Sequence, residues 1–409
     1  SSPINFAKGK HHDLRGEELN SGREVKSISL LPTNVVLNGP SSYAQLLVTG
    51  HYENGETVDL TRKAILSSDN DYISINQRGI VSATSDTGAA ILATFKGLSS
   101  EISLEASQVS SKVAPDFVRH VNPVISRMGC NMGTCHGAKD GRNGFKLSLR
   151  GYDPLFDVRA FGDDHTARRV NYASPDDSLM LLKATGAVPH EGGKLTDIGS
   201  EYYETVRQWI ANGAELSLDT PKVSRIELFP KNPVVQNVKG AQQFRVVAHW
   251  ADGQSRDVTR EAFIESGNIE IASHDDYGMM MALRRGEAPI LARFEGAYAA
   301  TTLTVMGDRS GFTWREPTHW GKIDTLVSAK WKRMKLQPSG LCSDAEFVRR
   351  VHLDLTGLPP SSNRTKSFLA DTRPARQKRD SLVDELIGSA EFVDHWTNKW
   401  SDMLQVNSK

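Results

Sequence analysis

The sequence predicts a multidomain chain in which two all-β sandwiches alternate with two mainly α-helical segments. Three observations predict this class: an internal repeat, a period-two hydrophobic pattern within both copies of the repeat, and helical periodicity between and after them. The chain has 409 residues. At about 150 residues per domain, this length favours three or four units over one continuous core.

The internal repeat consists of residues that recur at a nearly constant distance. Eight residues recur 198 positions later: Ile28, Pro32, His51, Gly55, Asp59, Thr61, Arg62 and Ala64 match Ile226, Pro230, His249, Gly253, Asp257, Thr259, Arg260 and Ala262. Residues 92–97 recur at 291–296, an offset of 199. One inserted residue over about 70 positions indicates two copies of one domain.

Each copy has the pattern of a half-buried antiparallel strand followed by a tight turn. Hydrophobic residues alternate over 44–51 and over 243–250, before the turn signals Asn54-Gly55 and Asp252-Gly253. Short strands with regularly spaced turns predict a small antiparallel sandwich.

The two copies resemble bacterial immunoglobulin-like domains of group 2 (Big2), over roughly 25–108 and 222–307. We assign the two sandwiches to 25–110 and 222–308, after an exposed arm at 1–24. The resemblance implies spacer or adhesion modules that contact the cell surface or a polysaccharide. The fold alone does not name the ligand.

The segment at 113–220 is predicted to be helical. Apolar residues share one helical face from Asp116 to Met128, where Pro123 predicts a bend or an early start. Ser200 is a good N-cap for a helix that ends near Gly213, and a further helix begins near Pro175.

Cys130, Cys135 and His136 form the motif with the clearest chemistry. Two cysteines followed directly by histidine are typical of c-type haem attachment, in which the thiols add to the haem vinyl groups and the imidazole binds iron. Four residues separate the cysteines instead of the usual two, and Gly133 lies in this longer loop. A Cys130–Cys135 disulfide remains an alternative, but it leaves His136 unexplained. Zinc would need a further pair of ligands.

The stretch from Asp116 to Gly213 resembles the planctomycete-type cytochrome c domain. The matching pieces are Cys135-His136-Gly137, Gly144-Phe145-Lys146-Leu147, Ser178-Leu179-Met180-Leu181, Lys194-Leu195 and Trp209-Ile210-Ala211-Asn212-Gly213-Ala214. The resemblance implies a mainly α cytochrome c-like domain with one covalent haem c.

The second iron ligand of this chain must differ from that of the relatives. Many relatives have a methionine where this sequence has Val188, and His190 follows two residues later. We predict that His136 and His190 close a six-coordinate iron, because Gly192 and Gly193 give the loop freedom to move. His165 is the next candidate. Met128, Met132 and Met180 are weaker candidates, since apolar helix faces explain them.

The last segment, 312–409, is predicted to be helical. Ser343 and Glu346 form a capping box. Residues 347–360 and 396–400 resemble a planctomycete domain of unknown function (1549 type) over about 320–409. Relatives continue further, so we expect a truncated domain. We interpret His352 and Asp354 as a packed helix terminus and a cap, and Cys342 as a free, partly buried thiol.

Charge and composition exclude some classes of function. Forty-nine basic and 49 acidic residues argue against nucleic-acid binding, and no apolar run is long enough for a transmembrane helix. No signal peptide is present in the chain, but haem attachment implies export to the periplasm or cell surface. We therefore expect a one-electron carrier with a redox partner protein rather than an enzyme. The alternatives are a cell-surface structural or adhesion protein with a Cys130–Cys135 disulfide, and a haem enzyme or sensor with an open sixth position.

Overall fold

The computed structural model describes residues 23–40, 42–111, 114–165 and 168–406. It divides into two compact units, of which the first ends at Gly311 and the second begins at Phe312. Most of the predicted arm at 1–24 lies outside the described residues. Only Arg23 and Glu24 of it are described, and both are exposed coil.

The first sandwich is built from short strands in three sheets. The strands are β1 (Ser27–Leu31), β2 (Asn34–Asn38), β3 (Tyr43–Gln45), β4 (Leu47–His51), β5 (Thr57–Asp59), β6 (Ile65–Ser68), β7 (Ile73–Ile75), β8 (Ile80–Ala83), β9 (Thr87–Phe95) and β10 (Leu98–Ser107). The sheet orders are β1-β4-β5, β2-β10-β9-β6 and β3-β8-β7. Strand β2 pairs with β10 in parallel, and the other pairs are antiparallel.

The second sandwich repeats this arrangement strand by strand. Its strands are β11 (Val223–Phe229), β12 (Val234–Val235), β13 (Ala241–Gln243), β14 (Arg245–Trp250), β15 (Ser255–Asp257), β16 (Phe263–Ser266), β17 (Ala272–His274), β18 (Met279–Ala282), β19 (Gly286–Phe294) and β20 (Ala297–Val305). The sheet orders are β11-β14-β15, β12-β20-β19-β16 and β13-β18-β17. The predicted pair of sandwiches is therefore confirmed.

The period-two pattern explains why these segments are strands. In β14, every second residue is buried, so that Val246, Ala248 and Trp250 enter the core. Burial of such alternating side chains is the main stabilising contribution, about 1.5–3 kcal/mol for each large apolar group. Each sandwich has its own cluster of buried apolar residues.

A helical segment lies between the sandwiches. A wide π-type turn at Phe117–Val121 precedes α1 (Asn122–Arg127), and α2 (Pro154–Gly162), α3 (Leu179–Thr185) and α4 (Glu201–Ala211) follow. Pro123 lies in the first turn of α1, where its missing N–H is not needed. Phe117 and Trp209 pack together with ring centres 5.1 Å apart. The limits of 113–220 for a separate domain stay a prediction.

The second unit is helical, as predicted. Its helices are α5 (Lys322–Arg333), α6 (Asp344–Thr356), α7 (Ser362–Ala370), α8 (Ala375–Ile387) and α9 (Ala390–Met403). The predicted capping box is present: Ser343 and Glu346 satisfy each other's backbone N–H groups. Asp344 then pairs with Lys378 and Arg379, which holds the start of α6 against α8.

The two sandwiches meet through a pair of reciprocal hydrogen bonds. The Gln45 N–H donates to Oδ2 of Asp257 at 2.9 Å, and the Gln243 N–H donates to Oδ2 of Asp59 at 2.6 Å. These four residues are 1–5% exposed. Because Gln45 and Asp59 are the repeat equivalents of Gln243 and Asp257, the interface has approximate two-fold symmetry.

Both carboxylates are also held within their own sandwich. Oδ1 of Asp59 accepts the Thr61 N–H at 2.8 Å, and Oδ1 of Asp257 accepts the Thr259 N–H at 3.0 Å. Arg245 donates to Asp257 at 2.7 Å. Each buried negative charge is thus compensated by several donors, as burial of a charge requires.

Replacing either interface carboxylate should destabilise the first unit. We expect Asp59→Asn and Asp257→Asn each to lower the free energy of unfolding by about 1–3 kcal/mol, because an amide is a weaker acceptor and leaves buried donors unsatisfied. Chemical unfolding measures the effect. Asp71→Asn, at an exposed position of the first sandwich, is the control. Equal stability of all three variants would contradict the interface.

Candidate functional site

The cysteine loop begins where α1 ends. The Cys130 N–H donates to Ile125 O at 3.1 Å, and the His136 N–H donates to Cys130 O at 2.9 Å. The Leu147 N–H then donates to His136 O at 2.8 Å. These bonds close the loop and attach it to the following segment, so the sequence-predicted Cys130, Cys135 and His136 lie in one folded turn.

Gly137 is required by this close packing. A Cβ at this position would lie 2.1 Å from the carbonyl oxygen of Asn131. Asn131 is 1% exposed and its side chain donates to Ser126 Oγ at 2.8 Å. The backbone around the cysteines is therefore fixed from both sides.

Both cysteines are free thiols in the structure, so the disulfide alternative is not formed. Burial, with a smaller contribution from the neighbouring Cys135, raises the pKa of Cys130 to about 12. Cys130 packs against the apolar core of the helical segment. Its thiol is thus protonated at neutral pH, which makes it a poor nucleophile by itself.

His136 is held in one orientation. Its Nδ1 lies 3.1 Å from Phe145 O and must donate to that carbonyl, which leaves Nε2 as an acceptor or ligand atom. The Phe145 ring packs at 4.6 Å between ring centres. Burial lowers the pKa of His136, so the neutral form is favoured.

Arg169 also packs against Phe145. Its guanidinium lies 4.5 Å from the Phe145 ring centre and donates to the carbonyls of Ala160, Asp164 and Gly144. Sequence reasoning missed Arg169. Nothing in its local pattern distinguishes a buried arginine that satisfies carbonyls from an exposed one.

His190 lies close to His136, with its ring nearly parallel to that of His136. The two ring centres are 6.4 Å apart and the ring planes differ by 5°. Nδ1 of His190 lies 3.1 Å from Gly193 O, so this ring also keeps Nε2 available. A Cβ at Gly192 would come within 2.8 Å of the His190 ring. The predicted pair of histidines is therefore brought together by the fold.

The donor set suits a covalently attached haem. His136 and His190 each keep Nε2 available, and their ring centres are 6.4 Å apart. His136 and His190 would hold the iron, and Cys130 and Cys135 would hold the porphyrin.

The other predicted ligands lie elsewhere. His165 is an exposed residue of a loop, with left-handed backbone at φ 73°. Met132 is 45% exposed, and Met128 and Met180 pack against the helical core. His190 is therefore the candidate for which the structure gives a position beside His136.

The C-terminal candidates have structural surroundings. His352 is buried inside α6, where its Nδ1 lies 2.8 Å from Val348 O. Asp354 is exposed within the same helix and does not cap it. Cys342 is a free, partly buried thiol, as predicted.

Comparison with protein families confirms the prediction for the C-terminal segment. Residues 322–409 match the family PSCyt2, described as a protein of unknown function (DUF1549). This region agrees with the interval of about 320–409 predicted from the sequence.

Among curated proteins, the chain is similar to Ice-binding protein 1 of Shewanella frigidimarina (strain NCIMB 400). The two are 25% identical over 297 residues, which cover 69% of this chain and 29% of the relative. The chain thus spans less than a third of the length of the curated relative it matches.

Among solved structures, the chain is similar to the surface-layer protein SbsC. Domains 5–6 of that protein match with a TM-score of 0.28 and 9% identity, over 70% of this chain and 99% of the other. Domains 1–6 match with a TM-score of 0.19 and 9% identity, over 70% of this chain and 28% of the other.

These findings correct the predicted class of the protein. The prediction that the chain is a cytochrome, a metal-binding electron-transfer protein, is wrong as a description of its class. Over the described ranges, no group of three or more His, Cys, Asp or Glu side chains could hold a metal ion. The curated relative is described as an ice-binding protein and not as a cytochrome. In the described part of the chain, no helix is long and apolar enough to cross a membrane.

Haem attachment at Cys130 and Cys135 stays a prediction. We expect colour to remain with the exported protein after acid–acetone extraction, because thioether bonds survive it. His136→Ala and His190→Ala should each abolish a low-spin spectrum, whereas His165→Ala should leave it unchanged. Complete loss of colour on extraction, with two free thiols found by mass, would exclude covalent haem.

Proposed function

We propose that the chain is a structural protein of the bacterial cell surface. In this proposal, the two sandwiches and the helical segment form one rigid element that separates or supports other parts of the surface. The observation that carries the proposal is the reciprocal pairing of Gln45 with Asp257 and of Gln243 with Asp59.

The pairing favours a rigid element over two loosely connected modules. Domains joined by a flexible linker usually have polar, hydrated contacts and move independently. Here the paired carboxylates are at most 5% exposed. Separating the sandwiches would break charged hydrogen bonds whose donors and acceptors both lie in the interface.

A second buried contact links the sandwiches to each other. The Tyr43 hydroxyl of β3 donates to the Glu261 carboxylate and accepts the Arg260 N–H at 2.9 Å. Burial opposes ionisation of Glu261, but Arg256 and the Tyr43 hydroxyl hold its pKa below the usual range. The bond therefore has an ionised acceptor, which strengthens it.

The helical segment is also connected to Arg260. Arg260 pairs with Glu201 of α4, and the Tyr202 hydroxyl donates to Arg260 O at 2.9 Å. Arg127 of α1 donates to Asp276 O of the second sandwich. The three parts of the first unit thus share one buried junction, which we call the Arg260 junction: Tyr43, Glu201, Tyr202, Arg260 and Glu261.

The named relatives support the location. One is described as an ice-binding protein and the other as a surface-layer protein, and both descriptions refer to those proteins. The proposal takes no ligand from them, because the first is matched over 29% of its length. Contact with polysaccharide or other surface components through the sandwiches stays part of the proposal.

The location is tested by labelling intact cells with a membrane-impermeant, amine-reactive reagent. We expect Lys96 and Lys139, both exposed, to be modified without lysis, while a cytoplasmic marker protein is not. Mass spectrometry of peptides identifies the modified residues. Modification of both lysines only after lysis would contradict a surface location.

A further inference from the structure

The helical segment docks onto the second sandwich through the turn that contains Arg119. Arg119 donates to Gln254 Oε1 at 2.8 Å and pairs with Asp252. In return, Arg256 donates to Arg119 O at 3.4 Å. The two guanidinium groups lie 5.6 and 5.7 Å from the Trp250 ring centre. We call this contact the Arg119 seam.

Glu295 adjoins this seam, because it follows Phe294, whose ring centre lies 6.3 Å from that of Trp250. It occupies the two-residue turn between β19 and β20, with φ 45°. Its Oε1 atom is buried and has no hydrogen-bond partner among the described residues. The Nε atom of Arg119 is likewise buried and unpartnered within the described ranges.

The equivalent turn of the first sandwich lacks this feature. Lys96 occupies the same position between β9 and β10, with φ 47°, and is exposed. The backbone of the turn is therefore satisfied by either side chain. The placement of a buried carboxyl group is specific to the copy that contacts the helical segment.

We propose that Glu295 is a proton-dependent latch, which holds the helical segment against the second sandwich while its carboxyl group is protonated and loosens the seam when that group ionises.

The charged groups around Glu295 oppose one another: Arg256 and Arg119 favour the ionised form, whereas Asp116 and Glu261 favour the protonated form. Arg256, Asp116, Glu261 and Arg119 lie close enough to influence it. Arg256 is already engaged by Glu261 at 2.5 Å, and Arg119 by Asp252, so both cations are largely compensated. Asp116 adds a negative charge from the cap of the Phe117–Val121 turn. His120 contributes a neutral acceptor, since its Nδ1 receives the Asp116 N–H at 2.9 Å.

The direction of the pH effect follows from these contacts. Burial, assisted by Asp116 and Glu261 against Arg256, raises the pKa of Glu295 to about 8 from an ordinary value of 4.5. The docked state therefore binds a proton that the open state releases over this interval. Docking is fully stable below about pH 4.5 and weakens as pH rises through about 8.

Hydrogen exchange of the full chain tests the latch. It is measured at residues 116–121 and 293–298. After correction for the intrinsic rate, wild-type protection of both segments should fall between pH 5 and pH 8, by at most about tenfold for each pH unit. Glu295→Gln should abolish this dependence and remain protected at pH 8.

Two further variants serve as a control and as a test of the neighbouring charge. Lys96→Gln, at the equivalent exposed turn, should retain the wild-type pH profile. Asp116→Asn preserves a good N-cap but removes one negative charge that raises the pKa of Glu295. It should therefore reduce the loss of protection, so that more protection remains at pH 8 than in the wild type. Wild-type protection that is independent of pH, or a pH dependence that survives in Glu295→Gln, would overturn the proposal.

Discussion

The first unit depends on one repeated interaction: an aspartate of each sandwich accepts a backbone N–H from the other. Asp59 and Asp257 are nearly fully buried, and a buried carboxylate without donors is strongly unfavourable. Each has its full set of donors only when Gln243 or Gln45 of the opposite copy is in place. Folding of each sandwich core and docking of the two copies are therefore coupled, because the separated copies would each leave a carboxylate with fewer donors.

The position of the helical segment follows from this pairing. Docking brings Tyr43 of the first sandwich to Glu261 and Arg260 of the second, and Arg260 in turn pairs with Glu201. The Arg119 seam adds a second point of attachment on the same sandwich. The cysteine loop and the His136–His190 pair lie on this attached segment, so their geometry is supported by a body larger than the segment itself.

Much of the architecture was predictable because it depends on local sequence signals, such as repeated residues and helix caps. The repeat of Asp59 and Thr61 as Asp257 and Thr259 identified the duplication, and Ser200 and Ser343 marked helix starts that the structure confirms. The interface was not predictable, because a repeated aspartate looks the same whether it stabilises its own sandwich or the other copy. The juxtaposition of His136 and His190 was expected from a resemblance, whereas the support of His136 by Phe145 and Arg169 required the fold. The class of the protein was predicted wrongly because the motif of Cys130, Cys135 and His136, with the resemblance of its segment to a cytochrome c domain, was taken to describe the whole chain.

The most direct test of this account is hydrogen exchange of two backbone amides, those of Gln45 and Gln243, followed by NMR in the intact chain. Both amides donate across the interface, so the account predicts that both exchange slowly. It also predicts that Asp257→Asn accelerates Gln45 more than Gln243 and that Asp59→Asn does the reverse. Exchange of both amides at the rate of an unstructured chain, while the strands β4 and β14 remain protected, would contradict the paired sandwiches on which the account depends.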